Sequence, residues 1–238
     1  MKLVIANWKM NPQSSAAALK LLKIQDSPNT IILPPFIYLP LAGKILKKSM
    51  FGAQDVFWFD QGAYTGEISP IQLKNMGVKY VLVGHSERRN IIGEDDVLIN
   101  KKIKAALQHN LNIILCIGEN IKIRKKGIQS TINFLHYQLK KDLDGINKKF
   151  FNKLFIAYEP LWAIGTGYND DPVQSNQIAK FIKSQFKFNI NVIYGGSVNS
   201  KNIVGFLSQS FINGVLVGGA SLISKEISFI IKAAKKYE

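Results

Sequence analysis

The sequence predicts an α/β protein, a single (β/α)8 barrel with eight parallel strands over residues 1–238, for three reasons. Eight short segments rich in apolar and β-branched residues recur along the chain, and amphipathic segments with helical spacing lie between most of them. The strand-like segments have no polar alternate face, which is typical of parallel strands covered by helices on both sides. Eight such units in a chain of this length match one barrel in number and size.

The elements follow one another without a linker rich in proline, glycine or serine, so we expect one domain. The predicted strands span residues 3–6, 30–33, 50–53, 80–83, 112–117, 154–157, 191–194 and 215–217. The clearest predicted helices span residues 16–24, 97–107, 129–143, 173–186 and 201–207. An open doubly wound sheet remains the alternative, because periodicity alone does not show that the sheet closes.

The formal net charge of +15 raises the question of an anionic partner. The basic residues occur in twos and threes that are scattered along predicted helices, which is typical of solvated helix faces. Arginine, which suits bidentate contacts to phosphates and base edges, is scarce. We therefore expect no nucleic-acid or membrane partner, although a weak affinity for polyanions stays open.

Cys116 is the single cysteine, so the chain has no intrachain disulfide and no cysteine-based zinc site. The apolar run near residue 1 is too short for a secretory signal, and no later stretch approaches the length of a membrane span. We expect a cytoplasmic location, and we expect Cys116 to pack in the core instead of acting as a nucleophile.

Polar and glycine residues follow five of the predicted strands. Because the carboxyl ends of parallel strands meet at one end of a barrel, these residues should share one mouth. They are Asn7 and Lys9, then His85, Ser86 and Glu87, then Glu159, then residues 195–197, and finally Gly218 and Gly219.

Three of these side chains suit proton transfer next to a carbonyl group. Glu159 stands at a strand end directly before Pro160 and is placed as a base, with His85 as an imidazole donor at the corresponding point of the fourth strand. The ammonium group of Lys9 would stabilise an enediolate. Each residue alone has an ordinary structural alternative, such as a helix cap or a surface ion pair.

Glycine-rich turns at residues 165–167, 194–197 and 217–221 follow the last three strands. Glycine lets backbone N–H groups approach an anion closely, and the turns after strands seven and eight are the commonest phosphate site of this barrel. The alternative is that these glycines only serve tight connections. Residues 160–167 have an apolar centre between hinge-like ends and are predicted to form a lid.

The motifs now identify a family. Residues 7–11 (NWKMN), 62–67 (GAYTGE), 84–89 (GHSERR), 157–167 (AYEPLWAIGTG), 194–198 (YGGSV) and 216–222 (LVGGASL) resemble motifs of the triosephosphate isomerase family. They occur in the family's order from the first strand to the last, so the resemblance covers nearly the whole chain. It implies a TIM barrel.

The resemblance also implies the reaction, the interconversion of dihydroxyacetone phosphate and D-glyceraldehyde 3-phosphate in glycolysis and gluconeogenesis, without a metal or cofactor. It implies that Glu159 shuttles the proton, that His85 acts as a neutral electrophile, and that Asn7 and Lys9 assist at the substrate oxygens. Glu87, beside Ser86, would orient Lys9.

Further residues receive roles only through the resemblance. It implies that Gly165, Ser197, Gly218 and Gly219 bind the phosphate group. It implies a homodimer, in which Thr65 of the 62–67 loop reaches a neighbouring subunit's site, and an ion pair between Arg88 and Glu94. Asp55 and Asn213 depart from the family pattern, which has Asn and Asp there.

Two histidines are expected to have no catalytic role, since His109 and His136 lie in helical stretches rich in lysine and glutamine. Two alternative functions stay open. One is another phosphate-binding barrel enzyme, and the other is a basic nucleic-acid-binding protein that has retained the fold. Redox and nucleotide-hydrolysis functions are disfavoured, because neither G-x-G-x-x-G after a strand nor a P-loop motif occurs.

Overall fold

A computed structural model of the protein describes residues 1–163 and 170–237 and contains a closed barrel of eight parallel strands. The strands are β1 (Leu3–Asn7), β2 (Thr30–Leu33), β3 (Met50–Ala53), β4 (Tyr80–Val83), β5 (Asn112–Ile117), β6 (Leu154–Tyr158), β7 (Asn191–Tyr194) and β8 (Gly214–Val217). Each pairs with its neighbours in chain order, and β8 pairs with β1. The predicted fold class is confirmed, and the open doubly wound sheet is excluded.

Helices surround the barrel. They are α1 (Ser15–Gln25), α2 (Leu39–Ile45), α3 (Pro70–Asn75), α4 (Asp96–Gln108), α5 (Ile121–Arg124), α6 (Ile128–Asp142), α7 (Pro172–Ser184), α8 (Ile203–Leu207) and α9 (Ser224–Ala234). Short 3-10 or π-helical segments span Phe36–Tyr38, Arg88–Ile92, Lys148–Lys153, Leu161–Ala163 and Gly219–Leu222. None of the helices in the described residues is long and apolar enough to cross a membrane.

The predicted strands agree closely with the structure. Five start and end where predicted, while β1 and β6 are one residue longer at the carboxyl end and β8 is one residue longer at the amino end. The agreement has a physical cause, because strands buried on both faces must be apolar at every position. Helix ends are set by local caps, as where the Ser69 side chain accepts a hydrogen bond from Gln72 N at the start of α3.

Apolar side chains of the strands form two layers. One set points into the barrel and fills it: Ile5, Ile31, Leu33, Tyr80, Leu82, Ile114, Cys116, Phe155, Ala157, Ile193 and Leu216. The alternate residues, such as Val4, Val81 and Ile113, point outward and pack against the helices. Cys116 is fully buried in the inner layer, as expected for a packing role.

A cluster of four charged groups joins β3, β4 and α4. The Lys102 ammonium lies 2.7 Å from Asp55 and 2.5 Å from Glu94. Arg88 contacts the same two carboxylates, at 2.9 Å from Asp55 and 2.6 Å from Glu94. The ion pair between Arg88 and Glu94 is therefore confirmed. Asp55, which departs from the family pattern, supplies the second negative charge opposite two cations.

We predict that Lys102→Met destabilises the protein by about 3–5 kcal/mol, because two buried carboxylates would then face one arginine. The matched control is Lys101→Met on the same helix, whose exposed side chain should matter by less than about 1 kcal/mol. Urea unfolding of both variants measures the difference. Equal stabilities of the two variants would contradict a structural role for the buried ammonium group.

Candidate active site

A cavity of about 300 Å³ opens at the carboxyl ends of the strands. Nine of the residues singled out from the sequence line it: Asn7, Lys9, His85, Glu159, Gly195, Gly196, Ser197, Gly218 and Gly219. Glu87 lines the adjoining groove together with Lys9 and His85. Gly165 lies outside the described residues. The folded chain thus brings together residues from five separate segments, as the geometry of a parallel barrel requires.

Glu159 directly follows β6, and the residue is almost completely buried, with 1% of its surface exposed. Its Oε2 atom accepts a hydrogen bond of 3.0 Å from the backbone N–H of Ser86. Its Oε1 atom has no hydrogen-bond partner among the residues that the structure describes. A buried carboxylate oxygen without a partner is costly, so the arrangement indicates a group kept ready to interact with a ligand.

His85 faces Glu159 across the cavity, with Nε2 of the imidazole 3.4 Å from Oε1 of the carboxylate. The other ring nitrogen, Nδ1, lies 3.2 Å from the backbone N–H of Glu87, which donates a hydrogen bond to it. A nitrogen that accepts a hydrogen bond carries no proton, so this contact favours a neutral imidazole whose proton is on Nε2. His85 therefore presents a neutral N–H donor to the cavity.

Lys9 is held at three points. Its backbone has a left-handed φ of 54°, a conformation that is uncommon for a residue with a side chain. Asn7 Oδ1 accepts a hydrogen bond from Lys9 N (3.0 Å), and Gln54 Nε2 donates one to Lys9 O (2.9 Å). The ammonium group lies 2.6 Å from Glu87 Oε1. These contacts fix both the backbone and the charged end of Lys9.

Sequence reasoning missed Gln54 as a site residue, and it did not foresee that Gly195 makes room for Glu159. Gln54 directly follows β3 and so satisfied the same strand-end rule as the other site residues. Gly195 follows β7, and a Cβ atom there would lie 2.8 Å from Cγ of Glu159. Glycine at 195 therefore makes room for the carboxylate, in addition to any role of this turn in binding an anion.

The glycines that follow β8 lie beside Lys9 on the cavity wall. Gly218 and Gly219 follow β8 where the Gly219–Leu222 turn begins, and a Cβ atom at Gly218 would approach Cε of Lys9 to 3.2 Å. Ser197 follows β7, and its hydroxyl donates a hydrogen bond of 2.5 Å to Ala163 O. This side exposes backbone close to an ammonium group, which suits a small anion such as phosphate.

The predicted lid begins with the Leu161–Ala163 turn, and its residues 164–167 lie outside the described residues. Glu119 anchors the described part. Its Oε1 accepts hydrogen bonds from Tyr158 OH (3.1 Å) and Trp162 Nε1 (3.2 Å). Burial raises the pKa of Glu119, with these donors acting in the opposite direction. Sequence reasoning missed Glu119, although it follows β5 by two positions, as Lys9 follows β1.

Several residues lie away from the cavity. Thr65 is exposed in the loop between β3 and α3. His109 pairs with Asp60 at 2.6 Å, and the exposed His136 lies 2.8 Å from Gln185, so neither histidine contacts the site. Within the described residues, no group of three or more His, Cys, Asp or Glu side chains is placed to hold a metal ion.

Arg89 fixes the segment that carries His85. It donates hydrogen bonds to the backbone carbonyls of Gly84 and Cys116, and it contacts Asp96 at 2.7 Å and Asp142 at 2.6 Å. The guanidinium group thereby joins the ends of β4 and β5 to α4 and α6. Asp142 is fully buried, and burial raises the pKa of its carboxyl group to about 7 against the opposing charge of Arg89.

At the mouth formed by its strand ends, the barrel holds a buried carboxylate, a neutral imidazole and an ammonium group. This arrangement defines an enzyme of the acid–base class. Comparisons with known proteins define it further. Residues 2–234 match the family model of triosephosphate isomerase. The chain is 42% identical to a triosephosphate isomerase of Dictyoglomus turgidum, over 98% of this chain and 99% of the relative.

Other relatives agree. The chain is 41% identical to a triosephosphate isomerase of Dictyoglomus thermophilum, over 98% of this chain and 99% of the relative. It is 39% identical to one of Caldanaerobacter subterraneus subsp. tengcongensis, over 96% of this chain and 98% of the relative. The chain therefore belongs to the triosephosphate isomerase family, and it is an isomerase.

The raised pKa of Asp142 predicts how stability depends on pH. Between the unfolded value of about 4 and the folded value of about 7, the folded chain binds more protons than the unfolded chain. The stability that Asp142 contributes is therefore fully present below about pH 4 and is lost as the pH rises towards 7. The free energy of unfolding of the wild type, relative to Asp142→Asn, should fall from pH 5 to pH 8.

Chemical denaturation of both proteins across this pH range measures the difference. A relative stability that stays flat, or that rises with pH, would show that the contact with Arg89 outweighs burial and keeps Asp142 ionised.

Proposed function

We propose that this protein interconverts dihydroxyacetone phosphate and D-glyceraldehyde 3-phosphate, with Glu159 as the catalytic base. The observation that carries the proposal is Oε1 of Glu159, which has no hydrogen-bond partner in the described part of the chain and lies 3.4 Å from Nε2 of His85, in a cavity that also holds Lys9. Glycolysis and gluconeogenesis are the setting that this reaction implies. The cytoplasm is the proposed location, consistent with one buried, unpaired cysteine.

In the proposed reaction, Glu159 removes a proton from the carbon next to the substrate carbonyl. The electron pair left on carbon moves onto the carbonyl oxygen and gives an enediolate. His85 stabilises this oxygen through Nε2–H, and Lys9 adds its positive charge in a site with little water. His85 then gives its Nε2 proton to this oxygen and takes up the hydroxyl proton of the neighbouring oxygen. Glu159 returns the carbon proton to the neighbouring carbon, which turns the ketose into the aldose or the reverse. Every atom is conserved, so the step needs no co-reactant.

The remaining residues have supporting roles in this proposal. Gly218, Gly219, Ser197 and Gly165 bind the phosphate group, mainly through backbone N–H donors. Asn7 supports the backbone of Lys9 through the hydrogen bond of 3.0 Å and contacts substrate from the same cavity wall. Glu87 and Ser86 act on other side chains: Glu87 orients Lys9 and His85, and the backbone N–H of Ser86 orients the carboxylate of Glu159.

We predict that Glu159→Asp lowers kcat about 100-fold and changes KM much less, because the carboxylate retracts by roughly 1.5 Å from the carbon that it must reach. A coupled assay with glyceraldehyde 3-phosphate and a chelator measures both constants. Glu226→Asp, on α9 and outside the cavity, is the control and should keep wild-type turnover. Wild-type turnover in Glu159→Asp would contradict the role of the base, and an inactive wild type would contradict the function itself.

We also propose that the protein is a homodimer. Residues 57–64 present a stack of aromatic rings, in which Phe59 and Tyr64 remain about half exposed. Met10, Ile91 and Ile92 are more exposed still and line the groove beside the cavity. An apolar groove next to an exposed aromatic loop is typical of a surface that another chain covers. A second copy supplies such a loop.

Thr65 tests the dimer. Thr65→Arg places a charge at the tip of the exposed loop, and burying that charge in an apolar groove is unfavourable. Sedimentation should shift towards the monomer, and turnover should fall with it, because the groove continues into the cavity at Lys9 and His85. An active dimer carrying Thr65→Arg would count against this loop as the interface.

A further inference from the structure

The face of the barrel opposite the cavity collects positive charge. We call it the N-terminal face. It consists of the segments that precede the strands and the segment that follows α9, which are residues 1–2, 26–29, 46–49, 76–79, 109–111, 143–153, 185–190, 208–213 and 235–237. Its lysines are Lys2, Lys47, Lys48, Lys79, Lys148, Lys149, Lys153, Lys187, Lys235 and Lys236. Lysine pairs that are scattered along the sequence thus meet on one face.

Few negative charges oppose them. The acidic residues of the N-terminal face, within the described part of the chain, are Asp26 and Asp144, and Glu238 lies outside that part. Asp26 is already engaged, because its carboxylate accepts hydrogen bonds from the backbone N–H groups of Lys47, Lys48 and Ser49. Most of these lysines are exposed and have no carboxylate within ion-pair distance among the described residues.

The segments that follow the strands, at the cavity end of the barrel, differ sharply in charge from the N-terminal face. They carry ten of the chain's 16 acidic residues: Asp55, Asp60, Glu67, Glu87, Glu94, Asp95, Glu119, Glu159, Asp170 and Asp171. Their basic residues are Lys9, Arg88, Arg89, Lys122, Arg124, Lys125, Lys126 and Lys201. The two ends of the barrel therefore differ in charge, and the excess that gives +15 lies mainly away from the cavity.

Aromatic rings accompany the lysines on two neighbouring segments of this face. Residues 143–153 precede β6 and residues 185–190 precede β7, and the rings of Phe151 and Phe186 join the segments edge to face at 5.5 Å. Phe188 is 52% exposed beside Lys187. The ammonium group of Lys149 lies 5.0 Å from the ring of Phe150. The two segments thus place the exposed ring of Phe188 and several exposed ammonium groups on one surface.

We propose that this Lys–Phe patch, made of Lys148, Lys149, Phe150, Lys153, Lys187 and Phe188, binds single-stranded nucleic acid. Lysines would contact the phosphates, and a base would stack on the open ring of Phe188. Lysine acts as a point charge without a fixed hydrogen-bonding geometry, so binding is independent of sequence. The patch lies at the other end of the barrel from the cavity, so this activity is additional to isomerisation and is compatible with it.

Titration of a fluorescein-labelled oligouridylate, followed by anisotropy over a salt series, tests the proposal. The triple variant K148E/K149E/K187E removes charge from the Lys–Phe patch. The matched control K122E/K125E/K126E changes the net charge equally at the opposite end, where these three lysines are also exposed. In a plot of log affinity against log salt concentration, the slope of the patch variant should be smaller in magnitude by about 2, because each lost phosphate contact removes roughly 0.7. The control should keep the wild-type slope.

Phe188→Ala tests stacking separately and should weaken binding about fivefold or more without a change in the salt slope. The proposal would be overturned if the wild type shows no salt-dependent binding, or if the two triple variants lose binding affinity equally. Tighter binding to vesicles of anionic lipid than to the oligouridylate would also overturn it, in favour of a membrane surface. Isomerase turnover, measured on the same samples, should stay at the wild-type level in all three variants and shows that they fold.

Discussion

Closure of the barrel by β1 and β8 is the constraint on which the site depends. Pairing of Leu3 with Gly214 and of Ala6 with Val217 places the residues that follow both strands side by side. The approach is close enough that a Cβ atom at Gly214 would lie 2.3 Å from Leu3 O, so only glycine fits there. Lys9 and Gly218 thereby meet on one wall of the cavity, although most of the chain separates them.

The carboxylate of Glu159 shows what the closed barrel makes possible. No lysine or arginine of the described residues lies within ion-pair distance of it, and one backbone N–H group holds its Oε2 atom. The nearby ammonium group of Lys9 is instead paired with Glu87. Burying an ion under these conditions costs free energy. The surrounding packing of the barrel must offset that cost, and the result is a buried basic group that has no cationic lysine or arginine partner among the described residues.

The sequence predicted the fold and the positions of the site residues because both follow from local rules. Buried parallel strands are apolar runs, and the residues after them share one mouth. Contacts between distant residues had no such signal. The support of Lys9 by Gln54 and the pairing of Asp55 with Lys102 join segments about 45 residues apart. The neutral state of His85 depends on one backbone N–H group, which only the folded turn places at Nδ1.

The parallel arrangement also explains why the charge divides between the two ends. Helix N-termini point towards the cavity and contribute positive potential there, so a phosphate group can be bound by backbone N–H donors with few lysines. Helix C-termini point towards the N-terminal face, where lysines in last turns, such as Lys23, Lys44 and Lys232, offset the negative potential. Exposed lysines outside these last turns, such as Lys148 and Lys187, add further positive charge on the same face. Their charge remains available to an anionic partner that never enters the cavity.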